Sequence, residues 1–166
     1  MKKMKLLPLE NKDIETFKRD MQEAFQKGAE EGDYENTGNI DILPENDIDK
    51  SLFNRNAKAY KVVKDDEIIG GAIINIDKEN NINHLDFLYV KYGVQSRGVG
   101  FFIWSELEKL YPETKVWETV TPYFEKRNIH FYVNKCGFHI VEFYNAKHKD
   151  PNSDSDEMFR FQKIMK

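Results

Sequence analysis

The chain has one cysteine, Cys136, so no internal disulfide framework can brace it. Histidine is nearly as scarce. His84, His130, His139 and His148 are scattered, no His/Cys cluster has zinc spacing, and no metal is expected. No apolar run approaches the roughly 20 residues of a membrane-spanning helix. The opening Met1-Lys2-Lys3-Met4-Lys5-Leu6-Leu7-Pro8 lacks the apolar stretch of a secretory signal, so a cytoplasmic location and no membrane partner are expected. Positive charge is not in excess either. With 25 Lys and Arg against 29 Asp and Glu, the net charge is −4, and a nucleic-acid partner, which would need a basic face, is not expected. No internal repeat is present.

What remains suits a globular protein. A chain of 166 residues, 40% hydrophobic and 13% aromatic, fits one domain, residues 1–166, around one core, and 33% charged residues fit a hydrated surface. Ile14, Phe17, Met21, Ala24 and Phe25 form one stripe of a helix expected over 13–27, capped by Asp13 and ended by Gly28. Residues 29–46 read as an acidic loop and 47–55 as a short helix. Strands are expected over 59–63, 67–76 and 82–90, then a helix over 101–110, a strand over 115–121, a helix over 124–135, and strands over 138–144 and 158–165. A right-handed crossover makes the strands at 84–90 and 115–121 parallel, with antiparallel neighbours. The expected class is α/β (α+β).

The segment most informative about chemistry is Gln95-Ser96-Arg97-Gly98-Val99-Gly100, between the strand ending at Val90 and the helix beginning near Phe101. Strand, glycine turn and helix start make a site for a diphosphate, because the first N–H groups of a helix lack helical partners and the dipole favours anions. A Walker loop would need Lys-Ser or Lys-Thr where Phe101-Phe102 stand, and a dinucleotide fingerprint would need a third glycine. Gln-x-x-Gly-x-Gly resembles the pyrophosphate loop of the GNAT superfamily of acyl-CoA-dependent N-acetyltransferases. Downstream, Phe131-Tyr132, three residues, then Cys136-Gly137-Phe138 resembles the family's helix-turn-strand signature Phe-Tyr-x-x-x-Gly-Phe, with the spacing shifted by one. The resemblance covers about 59–143.

The resemblance implies a GNAT-type fold: a mixed, mostly antiparallel sheet with a central splayed parallel pair, flanked by helices, the coenzyme entering the gap. It implies acetyl-CoA as co-substrate, held by Leu88, Tyr89, Val90, by Gln95, Ser96, Arg97, Gly98, Val99, Gly100, and by Phe131. Family members carry a coenzyme-contacting Asn seven positions before the tyrosine. Here that position is Glu125, so Asn128 is taken as the contact. Tyr132 is by resemblance the acid that protonates the leaving thiolate, and a backbone N–H near Leu88 to Val90 serves the oxyanion. Phe102, Ile103, Leu107 and Leu110 are read as core, by their helical spacing, and Cys136, at a helix end, as packing. For the base the residues leave alternatives, acting directly or through a water relay: Asp86 and Glu118 rank above His84, which shares a strand face with Asp86.

The expected activity is acetyl transfer to a primary amine of a small molecule or peptide by direct attack in a ternary complex. The alternative is a non-catalytic acyl-CoA-binding or sensing module on the same fold. A third reading, an interaction protein that has lost the ligand, fits poorly with two intact loop glycines. From Glu30 to Asp49 there are eight acidic residues and no Lys or Arg. With Tyr34, this stretch would attract a cationic amine; as an ordinary charge run it is a solvated loop. A homodimer is compatible by resemblance, with Phe143, Tyr144, Phe159 and Phe161 placed either for an interface or for the core.

Overall fold

The computed structural model describes residues 3–31, 42–94, 98–151 and 157–165. Seven strands form one sheet: β1 (Lys5–Pro8), β2 (Ala57–Lys64), β3 (Glu67–Asn75), β4 (Ile82–Val90), β5 (Val116–Pro122), β6 (His139–Tyr144) and β7 (Met158–Ile164). Their spatial order is β1-β2-β3-β4-β5-β7-β6. Every neighbouring pair is antiparallel except β4 and β5, which are parallel and joined by the helix α3 (Val99–Leu110). The mixed sheet with a central parallel pair is the architecture that the sequence resemblance implies.

β1 is an addition to the six expected strands. It has four residues, ends in proline and pairs Lys5–Pro8 with Val63–Tyr60. Too short to show a period, it tolerates Pro8 because it lies at the sheet edge. The β2–β3 hairpin turns on Asp65 and Asp66, both at positive φ (57° and 64°), as a two-residue loop twisting with its strands requires.

The helix α1 (Ile14–Glu31) runs past Gly28, where the sequence pattern places its end. Asp13 does not cap it through a simple side-chain contact. Its carboxylate accepts from the Glu10 N–H at 3.0 Å and from the buried Lys61 Nζ at 2.6 Å, tying the helix entrance to β2. The second helix, α2 (Glu45–Leu52), starts two residues earlier than expected.

Alternation along the strands splits the core into two layers. On one face, Phe17, Met21, Ile48, Ile73 and Tyr89 pack beneath α1 and α2. On the other, Ile74, Leu85, Ile103, Trp104, Leu107, Trp117, Phe138 and Phe161 pack against α3 and the helix α4 (Lys126–His130). Trp104 meets Trp117 edge-on at 5.2 Å and Phe138 at 5.1 Å. The α3 stripe is core at Ile103 and Leu107, as its spacing indicates, whereas Leu110, read as core, is 50% exposed at the helix end.

Candidate active site

Two features part β4 from β5. Their pairing covers only Ile82–Leu85 with Val116–Thr119. At the last rung the Thr119 hydroxyl donates to the Leu85 carbonyl at 2.8 Å, so a side chain occupies that acceptor. One residue on, the β3–β4 register slips, since Ile73 faces Phe87 but Ile74 faces Leu85, and Asp86 is the extra residue of a bulge. Beyond this point β4 continues to Val90 and β5 to Pro122 without pairing each other.

The parted strands open into a cleft of about 850 Å³. Its floor is the end of β4, at Leu88, Tyr89 and Val90. One wall is α1, through Ala24, Phe25 and Gly28. The other is the β5–α4 connection and α4, through Glu125, Arg127, Asn128 and Phe131. The start of α3, Gly98 to Phe101, closes the end. Gly98 sits at φ +81°, a left-handed conformation that favours glycine, and no atom lies within 4 Å of where its Cβ would be. It is the N-cap of α3 without a side-chain cap, so the helix turns uncapped N–H groups toward the cleft. Gly100 has a different role. A Cβ there would lie 3.2 Å from the Phe131 ring, so its absence lets that ring lie against α3. Gln95, Ser96 and Arg97 lie outside the described residues.

Leu88, Tyr89, Val90, Gly98, Val99, Gly100, Asn128 and Phe131, all singled out from the sequence, thus meet in one cleft. Asn128 also approaches the Thr121 hydroxyl at 3.5 Å. Tyr132, Asp86 and Glu118 do not line it. Tyr132 is 6% exposed, between Phe131, Phe138 and Phe161. Burial pushes its phenol above the ordinary range, the nearby Cys136 and Glu125 add to this, and the Thr119 hydroxyl opposes it. The phenol therefore stays protonated, held near the fork by Thr119.

The one-residue shift in the tyrosine signature has a structural cause. α4 continues into a π-helical turn, Phe131–Lys135, which absorbs one extra residue before Gly137 at φ +86°. Cys136 is buried there, its thiol pushed up to about 12 mainly by desolvation, as fits a packing residue.

Asp86 and His84 lie on the α1/α2 face of the fork. Asp86 Oδ1 is 2.6 Å from His84 Nδ1, and its Oδ2 accepts from the Ser51 hydroxyl of α2 at 2.6 Å. Glu118 shares that face by register with His84, but Arg160 Nη1 reaches its Oε2 at 2.5 Å and Gln162 Nε2 at 2.9 Å. Arg160 also binds Glu142, so a row of charges straps β5, β7 and β6 together.

Glu125, which the sequence pattern marks only as a departure, also lines the cleft. Its Oε1 is buried in the cleft wall without a hydrogen-bond partner among the described residues. Burial raises its pKa above the ordinary 4.5, opposed by Arg127. The signal for it in the sequence was an acid standing where Asn was expected. Of the acidic stretch, Glu31 pairs with Arg127 across the cleft mouth at 2.6 Å, and Glu45 and Asp49 bind Lys18. Asp33, Tyr34, Glu35 and Asp41 lie outside the described residues. Among the described residues no group of three or more His, Cys, Asp or Glu is placed to hold a metal, and no helix is long and apolar enough to cross a membrane.

Residues 15–138 match the family described as Acetyltransferase (GNAT) family. YrkN, an uncharacterized protein of Bacillus subtilis (strain 168), is 44% identical over 168 residues, covering 93% of this chain and 89% of the relative. PaiA N-acetyltransferase of Thermoplasma acidophilum, solved with coenzyme A, superposes with a TM-score of 0.70 at 18% identity, over 98% of this chain and 99% of its own. The ribosomal-protein-S18-alanine N-acetyltransferase of Escherichia coli superposes with a TM-score of 0.72 at 12% identity, over 98% and 94%. An acetyltransferase of Bacillus subtilis in complex with CoA has a TM-score of 0.67 at 15% identity, over the whole of both chains.

Proposed function

Since the chain belongs to the GNAT acetyltransferase family, we propose that it is an N-acetyltransferase that carries the acetyl group of acetyl-CoA to a primary amine of a small molecule or peptide, by direct attack in a ternary complex. The observation that carries this reading is the fork: two parallel strands part at Leu85 and Thr119, and the cleft they open ends at the uncapped start of α3. A long, thin ligand with an anionic middle fits such a cleft, and PaiA and the Bacillus subtilis acetyltransferase hold coenzyme A on the same fold.

In this reading Gln95 to Gly100 hold the pyrophosphate, while Leu88, Tyr89, Val90, Asn128 and Phe131 hold the pantetheine arm. The strand N–H groups past the Asp86 bulge stabilise the oxyanion, which in a dry site is the largest single contribution such donors make. Tyr132 protonates the departing thiolate. Its buried phenol is a weaker acid than an exposed one, and a thiolate desolvated in the cleft is likewise a stronger base. The amine arrives from the α1/α2 face, where Asp86, His84 and Glu118 stand. Of the two carboxylates expected as bases, Glu118 is neutralised by Arg160, and Asp86 is better placed to orient His84. The enzyme is read as cytoplasmic, and a homodimer remains the assembly that the family resemblance suggests. The engagement of both carboxylates is the observation favouring the second reading, an acyl-CoA-binding module without turnover.

Titration calorimetry with acetyl-CoA and with desulfo-CoA tests the first step. Micromolar binding of both is expected, and it should be lost in Gly98→Asn, whose side chain tolerates the left-handed conformation while filling the cleft end. A screen of primary amines for free-thiol release tests the second. Binding without thiol release for any amine would leave the module reading; no binding of either compound would sink both.

A further inference from the structure

Among the described residues, Glu125 is the one acidic side chain lining the cleft. Its Oε1 is buried and unpartnered among the described residues, and its Oε2 faces the bare Cα of Gly28 across the cleft, 3.9 Å from where a Cβ would stand. A carboxyl oxygen withdrawn from water without a partner costs free energy unless a ligand meets it. Its charge acts on the phenol of Tyr132, which lies buried behind Phe131 of the same cleft wall. By contrast, Glu118 and Asp86 already hold hydrogen-bond partners on both sides of the fork.

Resting on the acetyltransferase reading above, we propose that Glu125 is the general base of the reaction, receiving the proton of the incoming ammonium. The neutral amine then attacks the thioester carbonyl and the C–N bond forms. As the C–S bond breaks, sulfur takes the Tyr132 proton, and the surplus proton on nitrogen returns to the phenolate. The proton on Glu125 leaves through the cleft mouth. Burial lifts the carboxyl toward the pH at which such a base works best. The charged groups that share the lining with it are Arg127, which acts on its carboxyl, and Lys135; Glu31 of α1 pairs with Arg127, and Tyr132 lies buried behind the lining. The β5 side offers the uncharged Thr121.

The test compares wild type, Glu125→Gln and Glu125→Asp, with spermidine and a lysine-containing hexapeptide as acceptor probes. For Glu125→Gln, kcat is expected to fall about 10²–10⁴-fold, the usual contribution of a general base, with the acetyl-CoA Kd within about threefold. The rising limb of kcat against pH should disappear, and Glu125→Asp should restore part of the rate. A carboxyl ¹³C titration of Glu125 should show an inflection above the ordinary carboxylate range. An unchanged kcat, or a loss of acetyl-CoA affinity matching the loss of kcat, would overturn the base role alone. Wild type that binds acetyl-CoA yet releases no thiol with any amine of the screen, these two probes included, would overturn the acetyltransferase reading, and the base role with it.

Discussion

Burial decides ionisation at single residues here, and Asp20 of α1 shows the sign. It is 6% exposed, its Oδ2 has no partner among the described residues, and desolvation raises its pKa above 3.8. The folded state thus holds this proton more tightly than the unfolded chain does. The resulting stability is complete below the unfolded value and is lost as pH rises through the folded one. Asp20→Asn is expected to raise Tm at pH 7 and above, by an amount that shrinks toward pH 4, as thermal melts across that range would show. An unchanged Tm at pH 8 would contradict the burial argument. Side-chain identities of this kind are legible in a sequence, but their partners are not. Glu118 reads as a free carboxylate until Arg160, 42 positions away, is found beside it. Glu125 reads as a misplaced Asn until the cleft wall forms around it.

At the scale of elements, periodicity served well where a segment was long and one-sided, as in α1, α3 and the strands β2 to β5. It failed where a tertiary contact replaced a local rule. Gly28 looks like a helix stop, yet α1 continues and the glycine leaves room opposite Glu125. The π-turn at Phe131–Lys135 shows in the sequence only as a spacing one residue too long. The β5–β7–β6 strap was equally hidden and makes its own prediction. Glu142 is held down to about 2, chiefly by hydrogen bonds from His148 and Arg160. A depressed carboxylate stabilises above its unfolded pKa of 4.5 and loses that contribution as pH falls toward the folded value. Glu142→Gln should therefore flatten the decline of Tm between about pH 4.5 and pH 2, and a decline as steep as in wild type would count against the strap. Gly100→Ala tests the packing of the cleft wall. A gain of roughly 1 kcal/mol in helix propensity offsets crowding of Phe131, so Tm should barely move. Displacement of that ring should weaken acetyl-CoA binding by roughly tenfold, about 1.4 kcal/mol.

For the whole molecule, a ligand that binds only the folded chain stabilises it by mass action. Acetyl-CoA at 100 times its Kd should add about 2.7 kcal/mol, which for a chain of this size is roughly 5–10 °C in Tm. The same molecule-wide view bears on the seam between β4 and β5. The pairing there has four rungs, Ile82 to Leu85 with Val116 to Thr119, and among the described residues it is the sheet's sole strand pairing between β1–β2–β3–β4 and β5–β7–β6. Such a sheet is two cooperative blocks riveted along a short line, with the helices as backing plates. Deuterium should enter them as separate foldons, the C-terminal block opening without the N-terminal one. A ligand lodged between the parted strands spans the break where peptide groups do not. It should slow exchange in both blocks together, converting two local openings into one global one.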